Sequence, residues 1–475
     1  MENIRKIGLW TLIMLIFVPT FGFGNITSNA VYLGPAAIPS WFIVSLLYFL
    51  PLSIIIAELA SANKDKEGGL YTWLESGLGP NWAFIGTWSY YIANLFYLQM
   101  VFARIPVALS WTLFGENRFT DEYAYLLPYL SLAIAIILTW IATTGVKRFS
   151  RLADWGGKFT LFATVAFILF AVLGLLRGFP SATQFTAANV IPTFSSSYFS
   201  TFSWLLLAVA GAEVAGTYIR YVDNPNRTFP RGVLTATLFI ALAYTIGSIA
   251  VCLVVSPELL EKSGLANAGY VVYQVIAQNW GLNGKIVVQL YALIFTITSI
   301  AAYIVWIESP IRAMFSELPA RTFPGFLLKK KSDGTMTNAL WIQCIVLLIL
   351  ITIPLLGIGS VEAFFKLLYD MSSLSLIIPY IVLAAAYLSY RSRGKTTPFT
   401  MLKSKTAVWI ASIVVFVLGI AGFFGAGMDY VRGADTTRDA VISIVKTYGG
   451  PLILIILGYV LVWINRAVSK PASGK

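Results

Sequence analysis

The stretch that decides the fold reads Pro19-Thr20-Phe21-Gly22-Phe23-Gly24-Asn25-Ile26-Thr27-Ser28-Asn29. It places two glycines and several polar side chains in the middle of an apolar window that spans residues 7–34. Inside a bilayer, backbone groups outside a helix are tolerated only where they line a polar cavity. Small residues also allow close helix packing, but packing does not explain the polar side chains. We therefore predict a helix that is broken halfway across the membrane.

A second stretch of the same kind surrounds a carboxylate and reads Ala210-Gly211-Ala212-Glu213-Val214-Ala215-Gly216-Thr217. It lies in the apolar window 197–221. Many transporters place broken helices at corresponding positions of two inverted repeats, where they meet at the midplane. Amide groups at such breaks suit an anionic substrate group, and carbonyl groups suit a cationic one. The two stretches together predict a binding site for a small molecule.

The composition is that of an integral membrane protein, because 58% of the 475 residues are hydrophobic and 11% are charged. A spanning helix needs about 20 mostly apolar residues. The sequence predicts an all-α membrane protein with twelve such windows, at residues 7–34, 36–61, 80–113, 124–144, 152–178, 197–221, 229–255, 284–312, 338–358, 361–390, 406–427 and 447–466.

The distribution of basic residues predicts the orientation in the cell membrane. Most of the 33 lysines and arginines lie in the connections on the side that holds both termini, so we expect both termini in the cytoplasm. A basic face on an anionic leaflet accounts for the net charge of +12 without nucleic acid. The chain has no histidine and two isolated cysteines, Cys252 and Cys344. We therefore expect no metal, no cofactor and no enzyme activity.

Further motifs extend the pattern beyond the two predicted breaks. They are Glu67-Gly68-Gly69-Leu70-Tyr71-Thr72-Trp73, Leu78-Gly79-Pro80, Asp223-Asn224-Pro225-Asn226-Arg227-Thr228-Phe229-Pro230 and Pro310-Ile311-Arg312. With Gly22-Phe23-Gly24 and Gly211-Ala212-Glu213, these motifs resemble the amino acid–polyamine–organocation superfamily. Within it, the chain looks closest to the glutamate/GABA antiporter branch.

The resemblance implies a LeuT-like fold, in which two inverted repeats of five helices each contain one broken helix, helices 1 and 6. The first repeat is expected at residues 1–195 and the second at 196–395. Two peripheral helices with a cytoplasmic tail are expected at 396–475. Spans one, two, six and seven are expected to form the moving bundle of an alternating-access transporter.

The breaks and the resemblance together predict the substrate-binding residues, which are Gly22, Phe23, Gly24, Asn25, Ile26, Ala208, Ala210, Gly211, Glu213, Tyr303 and Glu308. The resemblance implies a gating role for Glu213, which alternatively caps the broken helix. It also implies that the Lys158 ammonium replaces a sodium ion at the exposed carbonyl groups. Alternatively, Lys158 extends to the cytoplasmic headgroups.

Charged and aromatic residues within the spans bear on the substrate. Glu308 and Asp370 are either structural partners of basic residues or acids that face the cavity, where they would favour a dicationic amine. An aromatic box around a substrate cation is a further hypothesis. Its candidates are Tyr90, Tyr91, Tyr97, Trp204, Tyr303 and Trp306. Of these, Tyr90 and Trp204 are possible site residues, as is Asp370.

The function predicted from these features is exchange of a small amine or amino acid for its catabolic product. The pair that these features favour is agmatine and putrescine. Tyrosine with tyramine and glutamate with GABA are the alternatives. A membrane sensor of the same fold that binds a ligand without moving it is the alternative from a different class.

Overall fold

The computed structural model describes residues 6–63, 69–119, 123, 125–145, 147–213, 222–317, 322–332, 334–355 and 360–468. Within these residues the regular structure is helical, apart from an isolated β-bridge between Ile7 and Val222. Parts of two predicted motifs, Val214 to Thr217 and Glu67-Gly68, lie outside the described residues.

The helices follow one another in the order α1 Leu9–Thr20, α2 Phe23–Leu33, α3 Ala37–Val44, α4 Leu50–Ala62, α5 Leu70–Leu78, α6 Pro80–Phe114, α7 Leu126–Ala142, α8 Lys147–Leu176, α9 Ala187–Val190, α10 Ser196–Ala208, α11 Pro225–Val254, α12 Pro257–Asn279, α13 Gly284–Glu317, α14 Thr337–Leu355, α15 Val361–Ser392, α16 Lys405–Gly425, α17 Met428–Arg432 and α18 Thr437–Val468. A 3₁₀ turn, Gly34–Ala36, joins α2 to α3, and a π-helical turn, Ser45–Phe49, joins α3 to α4.

The predicted spans correspond to these helices. Each of the twelve apolar windows contains at least one helix. In the described part of the chain, eight helical segments are long and apolar enough to cross a membrane, and three shorter apolar helices accompany them. The prediction of an all-α, multi-pass membrane protein is confirmed, and the count of twelve spans is consistent with the described helices.

The helices form two compact units. The first unit comprises residues 1–90, 168–262 and 373–444. In it, α11 packs against α1, α2 and α3, and α10 packs against α16. Its interior contains several large side chains that are fully buried, among them Trp41, Tyr48, Trp204, Tyr244 and Tyr380. The first unit therefore contains spans one, two, six and seven, which the resemblance groups in one bundle.

The second unit comprises residues 91–167, 263–372 and 445–475. In it, α7 packs against α13 and α14 around a core that includes Phe102, Ile304 and Leu340. Each unit contains helices from both predicted repeats. A repeat in the sequence need not form a separate compact unit in space. The repeat boundaries near residues 195 and 395 stay a prediction.

Candidate substrate-binding site

The first break lies where the sequence predicts it. Helix α1 ends at Thr20, Phe21 and Gly22 are extended, and α2 begins at Phe23. The Phe21 amide still bonds to the Phe17 carbonyl over 2.8 Å, so the chain leaves α1 in a regular way. Gly22 has φ −144°, which any residue can adopt. The break therefore does not depend on a left-handed conformation at Gly22.

The second break does depend on a glycine. Helix α10 ends at Ala208, and Gly211 has φ +135°, a region that side-chain-bearing residues rarely adopt. The Ala210 amide bonds to the Leu207 carbonyl over 3.2 Å. Residues 209–211 thus interrupt the helix immediately before Glu213. The prediction of broken helices one and six is confirmed.

The hydroxyl group of Tyr244 on α11 bonds to both breaks. Its single O–H proton is shared between the carbonyl oxygens of Thr20 and Ala208, which lie 2.6 and 3.2 Å from the hydroxyl oxygen. It accepts from the Gly22 amide over 3.3 Å and from the Asn25 side-chain amide over 3.1 Å. Tyr244 is completely buried, and its ring stacks on Trp41 with centroids 4.1 Å apart. One side chain therefore holds the ends of three helices, α1, α2 and α10, together.

These helix ends carry opposite partial charges. The helix dipole makes the first turn of α2 a positive end. The Asn25 amide there bonds to the Gly22 carbonyl over 3.0 Å, and the first amides of a helix in general lack acceptors within it. The last carbonyl groups of α1 and α10 form negative ends. An amino acid carries both an ammonium and a carboxylate, so such a pair of breaks is suited to bind it.

The carboxylate of Glu213 is the charged group at the second break. It is 9% exposed and accepts hydrogen bonds from the Gly211 amide and the Tyr90 hydroxyl, each over 3.1 Å. Tyr48 and Tyr380 lie within electrostatic range of the same carboxylate. Glu213 thus bonds to break two and to Tyr90, with two further phenols within electrostatic range, whereas Tyr244 bonds to both breaks.

Other predicted residues of the first unit are buried around the breaks. Phe23 is 2% exposed and Ile26 is completely buried. The Ile26 side chain lies against Gly247, where an added Cβ would come within 2.4 Å of it. Trp204 packs edge-on against Tyr32, with ring centroids 5.1 Å apart. Ile26 therefore packs into the bundle through its side chain, so a contribution to the site would come from its backbone.

The remaining predicted residues lie in the second unit. Glu308 and Asp370 are 1% and 0% exposed, and Tyr303 is partly buried. Tyr97 packs against Trp306 with centroids 5.0 Å apart. Lys158 is exposed, and its ammonium lies 5.6 Å from the ring centroid of Trp155, itself 67% exposed. This placement fits the alternative in which Lys158 extends to the headgroups, and its ion-replacing role stays a prediction.

Sequence reasoning missed Glu58, a completely buried carboxylate on α4. Its Oε1 accepts from the amides of Met401 and Leu402, over 2.7 and 2.8 Å. Its Oε2 accepts from Arg391 and, over 2.7 Å, from the Tyr387 hydroxyl. Span two is thereby joined to the end of span ten and to the segment after it. No sequence motif indicates this cluster, because Glu58 lies more than 300 residues from its partners.

Tyr244 was also missed. It is one of 24 tyrosines and lies in an apolar window without a glycine or charge beside it. A hydroxyl in the middle of span seven was a weak signal, since most aromatic residues in membrane proteins pack or anchor at interfaces. Only the position of α11 against the two breaks distinguishes this tyrosine from the others.

Comparison with known proteins establishes the family. The profile described as amino acid permease matches residues 7–465, and the chain belongs to this family. The predicted membership in the superfamily of amino acid and amine transporters is confirmed. The family consists of transporters, so the chain is a transporter of small molecules rather than an enzyme.

Individual relatives cover the chain almost completely. The aspartate/glutamate permease AcaP of Lactococcus lactis subsp. cremoris (strain MG1363) is 28% identical over 99% of this chain and 97% of its own length. The probable agmatine/putrescine antiporter AguD of Lactococcus lactis subsp. lactis (strain IL1403) is 22% identical over 100% of this chain and 98% of its own length.

A solved structure shows the same fold. MhsT in complex with L-phenylalanine matches with a TM-score of 0.55 and 16% identity, over 87% of this chain and 97% of MhsT. The predicted LeuT-like fold, with broken helices one and six, is confirmed.

Proposed function

We propose that this amino acid permease is an antiporter that exchanges an amino acid for a smaller, related product across the cytoplasmic membrane. The observation that carries the proposal is the junction at Tyr244, where the carbonyl ends of α1 and α10 and the amide end of α2 bond to one hydroxyl. Groups of opposite partial charge at one point suit the ammonium and carboxylate of an amino acid.

We take glutamate or aspartate as the amino acid, with GABA as the product that leaves in exchange for glutamate. The near-complete overlap with an aspartate/glutamate permease supports this choice. Decarboxylation of glutamate removes one negative charge, so exchange of glutamate for its product would move charge across the membrane.

Agmatine and putrescine are the second candidate pair. The buried carboxylates of Glu308 and Asp370 favour it, because acids within a span are expensive and often bind cationic substrates. The 22% identity with a probable agmatine/putrescine antiporter is compatible with it as well. Glutamate is an acidic substrate, whereas agmatine is a dication. Uptake experiments can therefore distinguish the two pairs.

The test is uptake into vesicles that contain the purified full-length protein. Labelled glutamate, aspartate, agmatine or tyrosine is offered outside, with GABA, putrescine or buffer alone inside. We expect faster glutamate uptake with GABA inside than with buffer inside, and no uptake into protein-free vesicles. Uptake that is indifferent to the internal solute would contradict exchange. Binding of a substrate without any uptake would favour the sensor instead.

A further inference from the structure

Arg104 places a permanent positive charge inside a membrane span. It lies on α6, in the second unit, and its side chain is partly buried. A charged residue near the centre of a span is energetically costly. Arginine does not escape this cost by losing its proton, because its guanidinium stays charged in proteins. Arg104 therefore calls for a partner or a ligand.

The partners that the protein supplies are phenols. The guanidinium donates a hydrogen bond to the Tyr369 hydroxyl over 2.6 Å and lies 5.5 Å from the Tyr369 ring centroid. Tyr303 and Tyr97 lie within electrostatic range of it. Phenols stabilise a cation through their dipoles and rings, but they are neutral. The cluster of Arg104, Tyr97, Tyr303 and Tyr369, here called the Arg104 cluster, thus keeps a net positive charge.

No carboxylate of the described residues neutralises this charge. Ion pairs among those residues include Lys6 with Asp223, Arg118 with Glu116 and Arg391 with Glu58, and none of these three involves Arg104. A guanidinium presents several N–H donors in a planar fork, and within the described part of the chain Arg104 uses this fork for Tyr369. The fork matches a carboxylate, which it can bind through two parallel hydrogen bonds.

We infer that the Arg104 cluster binds the side-chain carboxylate of an acidic amino acid and so sets the substrate preference. The inference rests on the proposed function, since it assumes that an amino acid is transported. The phenol of Tyr303, predicted from the sequence to touch the substrate, belongs to the same cluster. A dication such as agmatine would be repelled by Arg104, which makes the inference specific for acidic substrates.

The first test compares glutamate with glutamine, its neutral isostere, in the same vesicles. We expect wild-type protein to prefer glutamate by at least about tenfold, the range for a hydrogen bond to a charged group. Arg104→Gln is expected to reduce this ratio at least about tenfold, and Arg104→Lys to keep part of it, because it retains the charge without the fork. Arg118→Gln is the matched control, since Arg118 lies beyond α6 in the same unit and its side chain is 59% exposed.

The outcomes separate the two proposals. Equal uptake of glutamate and glutamine by the wild type, or an unchanged ratio in Arg104→Gln, would overturn the role of Arg104. The absence of uptake of every amino acid would instead overturn the proposed function. The ratio is measured within one preparation, so partial loss of folded protein does not alter it.

A second measurement needs no variant. Phenylglyoxal modifies accessible arginines, and mass spectrometry locates the modified residue in wild-type protein. We expect modification of Arg104 that glutamate slows and glutamine does not. If Arg104 does not react, or reacts equally with and without glutamate, the guanidinium is not a ligand site and the inference fails.

Discussion

At the scale of single residues, the site depends on hydroxyl groups that bond to backbone atoms. Tyr244 contacts carbonyl and amide groups that the breaks leave outside regular helices. Buried backbone groups are expensive when they lack hydrogen bonds. The tyrosine therefore stabilises the same irregular backbone that would bind the substrate.

Replacing Tyr244 with phenylalanine removes the hydroxyl and keeps the ring that stacks on Trp41. We expect a loss of about 1–3 kcal/mol in the free energy of unfolding, because several buried groups lose their partner, and slower exchange. Chemical unfolding in detergent measures the first effect and vesicle uptake the second.

Tyr48→Phe is the control for stability. The Tyr48 side chain is also completely buried, and its hydroxyl makes no hydrogen bond with other described residues. We expect this variant to unfold close to the wild type. Equal losses in the two variants would show that the junction at Tyr244 contributes nothing specific.

At the scale of helices, the Glu58 cluster joins elements that the sequence leaves apart. One buried carboxylate holds α4, the end of α15 and the segment that leads to α16. The Arg391 guanidinium also donates to the Leu402 carbonyl over 3.0 Å. The cluster therefore fixes one end of span two against the end of span ten.

Glu58→Ala is expected to reduce the free energy of unfolding by about 3–5 kcal/mol, since it leaves a largely buried arginine without its counter-charge. The double variant with Arg391→Ala should lose less than the sum of the two single losses. Glu75→Ala is the control, because its carboxylate is partly exposed and is bonded to Tyr71 over 3.4 Å. Strict additivity of the two single losses would exclude a coupled pair.

At the scale of the whole molecule, the two compact units combine helices from both halves of the sequence. A transporter of this fold works by alternating access, in which helices move around a fixed site. The first unit contains spans one, two, six and seven together with span eleven, and the movement of the four spans as one bundle stays a prediction. The direction in which the chain crosses the membrane is a separate question, and the basic residues predict it.

Labelling of single cysteines tests the predicted orientation. Gln184 and Lys403 are both exposed and lie in connections predicted on opposite sides. An impermeant maleimide should label Gln184→Cys in intact cells and Lys403→Cys only after permeabilisation. Cys252 and Cys344 are each 1% exposed, so the background should be low. The reverse pattern would place both termini outside.

The sequence by itself determined the class of protein, the helical fold and the position of both breaks. Each of these follows from chemistry within a short stretch, such as the glycines and polar side chains around Asn25 in an apolar window. Local backbone preferences and hydrophobicity decide such features without reference to distant residues. The membership in a transporter family rests on motifs of the same local kind.

The tertiary structure alone decided which side chains complete the site. Tyr244 lies 222 residues from Gly22, and Tyr369 lies 265 residues from Arg104. Nothing near these positions in the sequence distinguishes them from other tyrosines and arginines. Their roles arise when helices pack and bring the Tyr244 hydroxyl to an irregular backbone, or the Tyr369 phenol to the partly buried Arg104. Such contacts depend on three-dimensional packing. The residues next to each position in the sequence do not indicate them.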